Sequence, residues 1–483
     1  MSERQPLWTS LEIAAVTATE APLDLPIQGI AIDSRETNPG DLFVALPGRH
    51  ADGHEYTEAA FESGAVAALV RQDAKVTERP GQPLIRVPDT LGALRLLAIE
   101  ARRRMAGKVI AVTGSAGKTG TRDAIYRALQ GFGLTHSSIR SFNNHVGVPV
   151  SLARMPREAE FGVFEVGMSA PGEIRDLAGL IEPHIAVITS IGEAHLGGFK
   201  SAKQIARAKA EIFEGMATES VAVINGDSDF ALLLIKAAEA ADVGKVISAS
   251  LEDEKSAVHA ERLAVHGDCN CLTAQVGRRR MTYKVGLPGR HWAMNSLLVL
   301  ATVQAVDGDL GLAGLALANL EAMPGRGVRH QIALDRGSFL LIDESYNANP
   351  QSVAACLEVL GSKQPQETGR RIALLGDLDE LGPASTRKHL GLRSPMNEAG
   401  LNAFFAAGPE MQQLAKVIGA NIHAPIVEDR QRLLELLKSY LRSGDVLLVK
   451  GSNSQRMSEC VEELLQWGER NRDGLDHPPI AAE

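Results

Sequence analysis

Long apolar runs are missing from this 483-residue chain, and no segment approaches the ~18 consecutive apolar residues that cross a bilayer. Membrane insertion is therefore not expected. The opening MSERQPLWTSLEIAAVTATEAP places acidic side chains inside its apolar stretch, so it does not read as a secretion signal. Cysteine is scarce: Cys269, Cys271, Cys356 and Cys460 form neither a CxxC pair nor a framework spacing, which excludes a disulfide scaffold and a structural zinc site. Reduced thiols point to the cytoplasm. Aromatic residues make up only 4%, too few for a stacking platform that binds single-stranded nucleic acid. No sign of charge collects into a block, since 50 Lys+Arg against 59 Asp+Glu leave a net charge of −9, and nucleic acid is not expected as a partner. Internal repeats and low-complexity segments are absent too. What remains, 45% hydrophobic and 23% charged residues, is the composition of a globular protein, and its length suggests about three domains.

Short apolar runs at 108–113, 161–166, 185–191 and 221–224 alternate with helical patterns, which argues for a parallel sheet with crossover helices. A second series at 339–343, 372–375, 403–407 and 445–449 suggests a further α/β unit resembling a Rossmann-type sheet. Between them lies MPGRGVR, 323–329, whose Pro and Gly residues suit a hinge. Residues 1–88 hold short strands at 42–46 and 66–71 broken by turn sequences. The expected fold is α/β in three domains: a small α/β domain over 1–88, a central P-loop ATPase-type parallel sheet with helices over 89–325, and a C-terminal Rossmann-like domain over 326–483. The polar tail after about 470 is expected to fray.

The strongest local signal is VIAVTGSAGKTGT at 109–121, an apolar strand running through a glycine-bearing loop into a helical pattern. Gly114, Ser115, Ala116, Gly117 and Gly120 would let backbone N–H groups turn onto phosphate oxygens at a helix N-terminus. Lys118 would reach the β- and γ-phosphates, and Thr119 would offer its hydroxyl to Mg²⁺. Downstream, Glu165 and His195 follow apolar runs, at the sheet edge where open α/β folds collect ligands, and are candidate metal ligands. A turn-capping carboxylate and a packed histidine are the competing readings. Lys209 lies in the helical QIARAKAEIFEG, where a solvated charge is the ordinary reading.

TGSAGKT, FEVGMSAPGEI, SIGEAHLGGF, AKAEIF, GRHWAMN, DESYNANPQS and LVKGS together, in this order, closely resemble the ATP-dependent Mur ligases of peptidoglycan synthesis. Within that family, IDSRETNPGDLFVALPGRHADGHEY, SFNNHVGVPVSL and Tyr346-Asn347-Ala348-Asn349-Pro350 are most similar to the member that joins D-alanyl-D-alanine to UDP-N-acetylmuramoyl-tripeptide. The resemblance implies ATP, two Mg²⁺ ions, those two substrates, a monomer and cytoplasmic action. It also implies roles for individual residues. Ser34 and Arg35 would bind the uridine diphosphate, and Asn143 and Asn144 the muramyl peptide, although asparagines also suit a turn. Glu165 and His195 would hold Mg²⁺. Lys209 would be carbamylated by CO₂ into an oxygen ligand for the second ion. Asn295 and His291 would meet the adenine, Arg326 the γ-phosphate, and Asp343 the ribose hydroxyls, with Tyr346 and Asn347 flanking the base. Ala116, Gly120 and Asn453 depart from the family's usual residues, as does GDLDELG at 376–382. The alternatives are a sibling Mur or folylpolyglutamate-type ligase adding one amino acid, or a P-loop ATPase module without ligase chemistry. A D-N-P-R motif, typical of the diaminopimelate-adding sibling, is absent, and the segment resembling a UDP site argues against a folate enzyme.

Overall fold

The computed structural model describes residues 5–21, 23–48, 51–193, 197–366 and 368–476. Near the N-terminus, strands Gly29–Ala31, Asp41–Val44, Ala67–Arg71 and Leu84–Val87 form a four-stranded parallel sheet. Asp89 then caps helix Thr90–Arg104 by accepting from the Leu91 amide at 3.0 Å. Ala93, Leu94, Leu97 and Ala101 of this helix enter the same core as Trp8, Ile13, Leu42 and Leu69, and the Arg104 guanidinium stacks 3.6 Å over the Trp8 ring. The expected join at 88/89 thus marks a helix cap, and the chain leaves the N-terminal core only after Arg104.

The central sheet has nine strands, in the order 279–285, 270–276, 258–265, 245–250, 221–225, 185–188, 108–113, 161–165 and 135–137. In strand Lys108–Thr113, Val109 and Ala111 face one core while Ile110 and Val112 face the other. Burial on both faces explains its uninterrupted apolar run. Pairing is parallel from 135–137 across to 258–265, but strands Asn270–Val276 and Arg279–Val285 are antiparallel to their neighbours. The sheet is therefore parallel, as expected, from 135–137 to 258–265, with two antiparallel strands added at one end. In NCLTAQV alternate residues are buried, the pattern of a strand with one covered face.

The C-terminal sheet runs 328–333, 338–344, 446–450, 371–376, 403–407, with only the first pair antiparallel. Helix Met457–Asp476 continues beyond residue 470, where fraying was expected. Among the described residues no helix is long and apolar enough to cross a membrane.

Candidate active site

The loop after strand Lys108–Thr113 emerges in the middle of the central sheet, with helix Lys118–Leu129 starting beneath it. Gly117 occupies the left-handed region at φ +81, and a Cβ there would stand 3.2 Å from Asn295 Oδ1. A Cβ on Gly114 would fall 1.9 Å from Thr189 Oγ1, so neither glycine has room for a side chain without a shift. Loop shape is held from the neighbouring strand's end: the Ser115 amide donates to the Ser190 carbonyl at 2.8 Å, the Ala116 amide to Ser190 Oγ at 3.0 Å, and Thr189 Oγ1 donates to the Ala116 carbonyl at 2.6 Å. Ala116, one of the departures from the family pattern, is thus bound through its backbone. Gly120, another, faces the Trp292 ring, which a Cβ would meet at 2.8 Å.

Lys118 Nζ donates to the Gly114 carbonyl at 2.9 Å, folding back over its own loop, and burial lowers its pKa. Next to it Thr119 Oγ1 donates to Glu165 Oε2 at 2.7 Å, and Asn143 Nδ2 donates to Glu165 Oε1 at 2.6 Å. Glu165 is only 1% exposed. Ser141 Oγ lies 3.3 Å from Thr119 Oγ1 and accepts from Arg326 Nη2 at 3.4 Å. Thr119, Ser141, Asn143 and Glu165 therefore meet at one point, with oxygen donors suited to a hard cation whose shell is completed by phosphate and water. No group of three or more His, Cys, Asp or Glu side chains that could hold a metal occurs among the described residues. His195 lies outside the described residues. Lys209 is completely buried and its Nζ has no hydrogen-bond partner, unlike the solvated lysine its helical pattern allows. Desolvation, with the Lys118 charge adding to it, pushes its pKa far below the ordinary lysine value.

Across the loop a cleft of about 630 Å³ separates the central and C-terminal sheets. Asn295 and His291, both on helix Arg290–Ala305, line it together with Arg326, Tyr346 and Asn347. Burial lowers the His291 pKa. The Arg326 guanidinium lies 4.1 Å over the Tyr346 ring, between Gly325 at φ +70 and Gly327 at φ +96. Asp343 does not reach the cleft. Its Oδ2 accepts from the Gly325 amide at 3.1 Å and its Oδ1 from the Ser345 amide at 3.0 Å, so the carboxylate braces the hinge, contrary to the ribose role expected of it. Strand pleating turns the next residue, Glu344, into the cleft instead, where its Oε2 accepts from the buried Lys450 Nζ at 3.3 Å. Asn349 Nδ2 reaches across to the Ser115 carbonyl at 3.1 Å, and Asn453 Nδ2 donates to the Tyr346 carbonyl at 3.1 Å.

Ser34 and Arg35 sit in the N-terminal domain and do not line this cleft. Arg35 is largely exposed and forms a forked pair with Asp33 at 2.9 and 2.6 Å. Asn144 accepts from the Val146 and Gly147 amides at 3.1 and 2.9 Å, a turn-forming use of its side chain. Ser141, Glu344 and Lys450 were not singled out from the sequence. Their available signal was adjacency, to Asn143, to Asp343 and within LVKGS.

Models of known families match three stretches: Mur ligase family, catalytic domain, over 26–102; Mur ligase middle domain over 112–303; and Mur ligase, glutamate ligase domain, over 329–453. The UDP-N-acetylmuramoyl-tripeptide--D-alanyl-D-alanine ligase of Escherichia coli is 31% identical, covering 92% of this chain and 95% of its own. Its Synechocystis counterpart is 33% identical over 95% of this chain and 96% of its own. Among solved structures, MurF from Acinetobacter baumannii superposes with a TM-score of 0.82 at 26% identity, covering 95% and 99% of the two chains. The fold is shared too by MurF ligase from Thermotoga maritima in complex with ADP, at a TM-score of 0.75, 24% identity and coverage of 92% and 98%.

Proposed function

The chain belongs to the Mur ligase family, and we propose that it is the ATP-dependent ligase joining D-alanyl-D-alanine to UDP-N-acetylmuramoyl-tripeptide in cytoplasmic peptidoglycan precursor synthesis. The observation that carries this reading is likeness along nearly the whole length to relatives of that one activity. In the reaction the tripeptide carboxylate attacks the γ-phosphorus of ATP, forming an acyl phosphate and releasing ADP. The acceptor amine, having lost a proton, then attacks the acyl carbon; the amide bond forms and inorganic phosphate leaves.

Bringing a carboxylate to a triphosphate is repulsive, costing on the order of 4 kcal/mol per pair of unit charges at 4 Å and an effective dielectric near 20. Lys118 and Arg326, which both line the cleft, offset that repulsion. Lys118 exchanges the Gly114 carbonyl for a phosphate oxygen, and the amides of residues 117–119 at the helix N-terminus cradle the β- and γ-phosphates. Asn295 and His291 meet the adenine, with Tyr346 and Asn347 beside it, and Glu344 takes the place first given to Asp343 at the ribose. The glycine cradle at 114 and 117, which any Cβ would crowd, supports this assignment. Asn143 and Asn144 face the muramyl peptide, and Ser34 and Arg35 the uridine diphosphate. Mg²⁺ fits the oxygen donors of Thr119 and Glu165, with His195 as a further ligand, and when bound it neutralises phosphate charge as a Lewis acid. Lys209 fits carbamylation: a buried, unpartnered amine held neutral is the form that adds CO₂, giving an anionic oxygen ligand for a second ion.

Phosphate release from ATP should require both UDP-N-acetylmuramoyl-tripeptide and D-alanyl-D-alanine. Turnover with a single amino acid, with glutamate and a folate, or with neither acceptor would overturn this reading in favour of a sibling ligase or a plain ATPase.

A further inference from the structure

We propose that Arg122 is a positioning residue for the ligase reaction, its guanidinium fastening segment 137–141 to the phosphate-loop helix so that Ser141 and Asn143 stand against Thr119, Glu165 and Arg326. The proposal rests on the function argued above and adds a residue outside the phosphate-loop motif. Arg122 follows Lys118 by one helical turn, placing the two on one helix face, and it is 6% exposed. Nη1 donates to Ser137 Oγ and to the Ser138 carbonyl, each at 2.9 Å, and Nη2 to the Arg140 carbonyl at 2.8 Å. Among the described residues it has no carboxylate partner in a salt bridge; its hydrogen-bond acceptors are oxygens of one short segment. Burying a guanidinium without an ion pair is costly, so the segment it holds must be held for a reason.

That reason lies in the next residues. Arg140 sits at φ +51, a left-handed conformation a non-glycine residue seldom keeps unaided, and its carbonyl is the one that Nη2 captures. Beyond this turn Ser141 touches Thr119 and Arg326, while Asn143 binds Glu165 at 2.6 Å and its carbonyl accepts from the Gly167 amide at 2.8 Å. Behind it Ser138 Oγ accepts from the Glu165 amide at 3.3 Å. One segment thus contacts the phosphate-loop threonine, the candidate metal carboxylate and the hinge arginine, and Arg122 sets its height. Lysine cannot reproduce the planar fork that spans three acceptors.

Arg122→Lys and Arg122→Met, compared with wild type, test this in two independent ways. Hydrogen exchange at amides 138–144 should quicken by about tenfold or more, with the strand 108–113 unchanged. In the phosphate-release assay kcat should fall about 10- to 100-fold, as for a reacting geometry displaced by about 1 Å, while the KM for ATP moves by less than about threefold. Ser141→Ala combined with Arg122→Lys should lose less than the product of the single losses, because both act through one segment. Unchanged exchange at 138–144, or strictly multiplicative losses, would overturn the proposal. Should Arg122→Met fail to fold, Arg122→Lys decides. Failure of the wild type to need both substrates would count against the ligase reading alone, since the exchange pattern reports on Arg122 without turnover.

Discussion

Lys118, half-buried, and Lys209, fully buried, share one neighbourhood, yet the structure treats them differently. Lys118 has a carbonyl to hold and, in the proposed reaction, a phosphate to exchange it for, so its removal should spare the fold and lower kcat by about 10²–10³ at saturating ATP, as for other deleted donors to a developing charge. A Lys118→Ala enzyme turning over like wild type would show that the loop does not hold the transferring phosphate. Lys209 has nothing to hold. If it is carbamylated, Lys209→Ala should be inactive, and a short carboxylic acid in the buffer should restore part of the activity; native mass spectrometry should find the added CO₂ mass on wild type. An unmodified mass with full activity at depleted CO₂ would refute the modification. At this scale the sequence was informative where chemistry is local. The phosphate loop is a contiguous motif, whereas Glu344 against Asp343 is a question of strand pleating, and Arg122 has meaning only once a distant segment folds onto it.

Elements in the middle of the central sheet were legible because strands covered on both faces carry continuous apolar runs, as 108–113 does. The strands at one end of the sheet, Val258–Val265, Asn270–Val276 and Arg279–Val285, escaped notice because their polar residues interrupt such runs. Two histidines seat the strands near the phosphate loop and give the sheet a pH dependence. His136 Nε2 donates to the Ser151 carbonyl at 2.7 Å, and His184 Nδ1 accepts from the Val109 amide at 3.0 Å. Burial pulls each down to a pKa of about 4 from 6.5, so in the native state both stay neutral while the unfolded chain takes up protons. Stability from these groups is present in full above pH 6.5 and is lost as pH falls towards 4, with His136 accounting for at most roughly 3 kcal/mol. The urea midpoint should therefore drop between pH 7 and 4.5. His136→Gln with His184→Asn, which keep the donor and acceptor but do not titrate, should flatten that drop; an unaltered drop would assign it to carboxylates instead.

Across the whole molecule, contacts between the central and C-terminal domains fall into two sets. Close to the hinge, Asp268 on the turn between strands 258–265 and 270–276 pairs with Arg329 and Lys363, and Arg329 Nη2 also donates to the Gly267 carbonyl at 2.9 Å. At the mouth of the cleft, Lys388 pairs with Glu193, the Gly197 amide donates to the Glu380 carbonyl at 2.7 Å, and Asn349 reaches Ser115. Rotation about Gly325 and Gly327 would open the mouth set first and disturb the hinge set least. Each surface ion pair contributes only ~0.2–1 kcal/mol, so closure is finely balanced and one reversed charge can shift it. Adding a non-hydrolysable ATP analogue with the UDP-substrate should reduce the radius of gyration in small-angle scattering, and Arg326→Ala should blunt that change. Lys388→Glu, placed against Glu193, should hold the molecule more open and raise the KM for the acceptor; combining it with Glu193→Lys should restore compaction, because the pair is rebuilt with its charges exchanged. Asp268→Asn, on the hinge side, should leave the compaction in place. If the double reversal stays open, or if Asp268→Asn opens the molecule as far as Lys388→Glu does, the rotation axis does not pass through 325–327, because contacts near an axis move least.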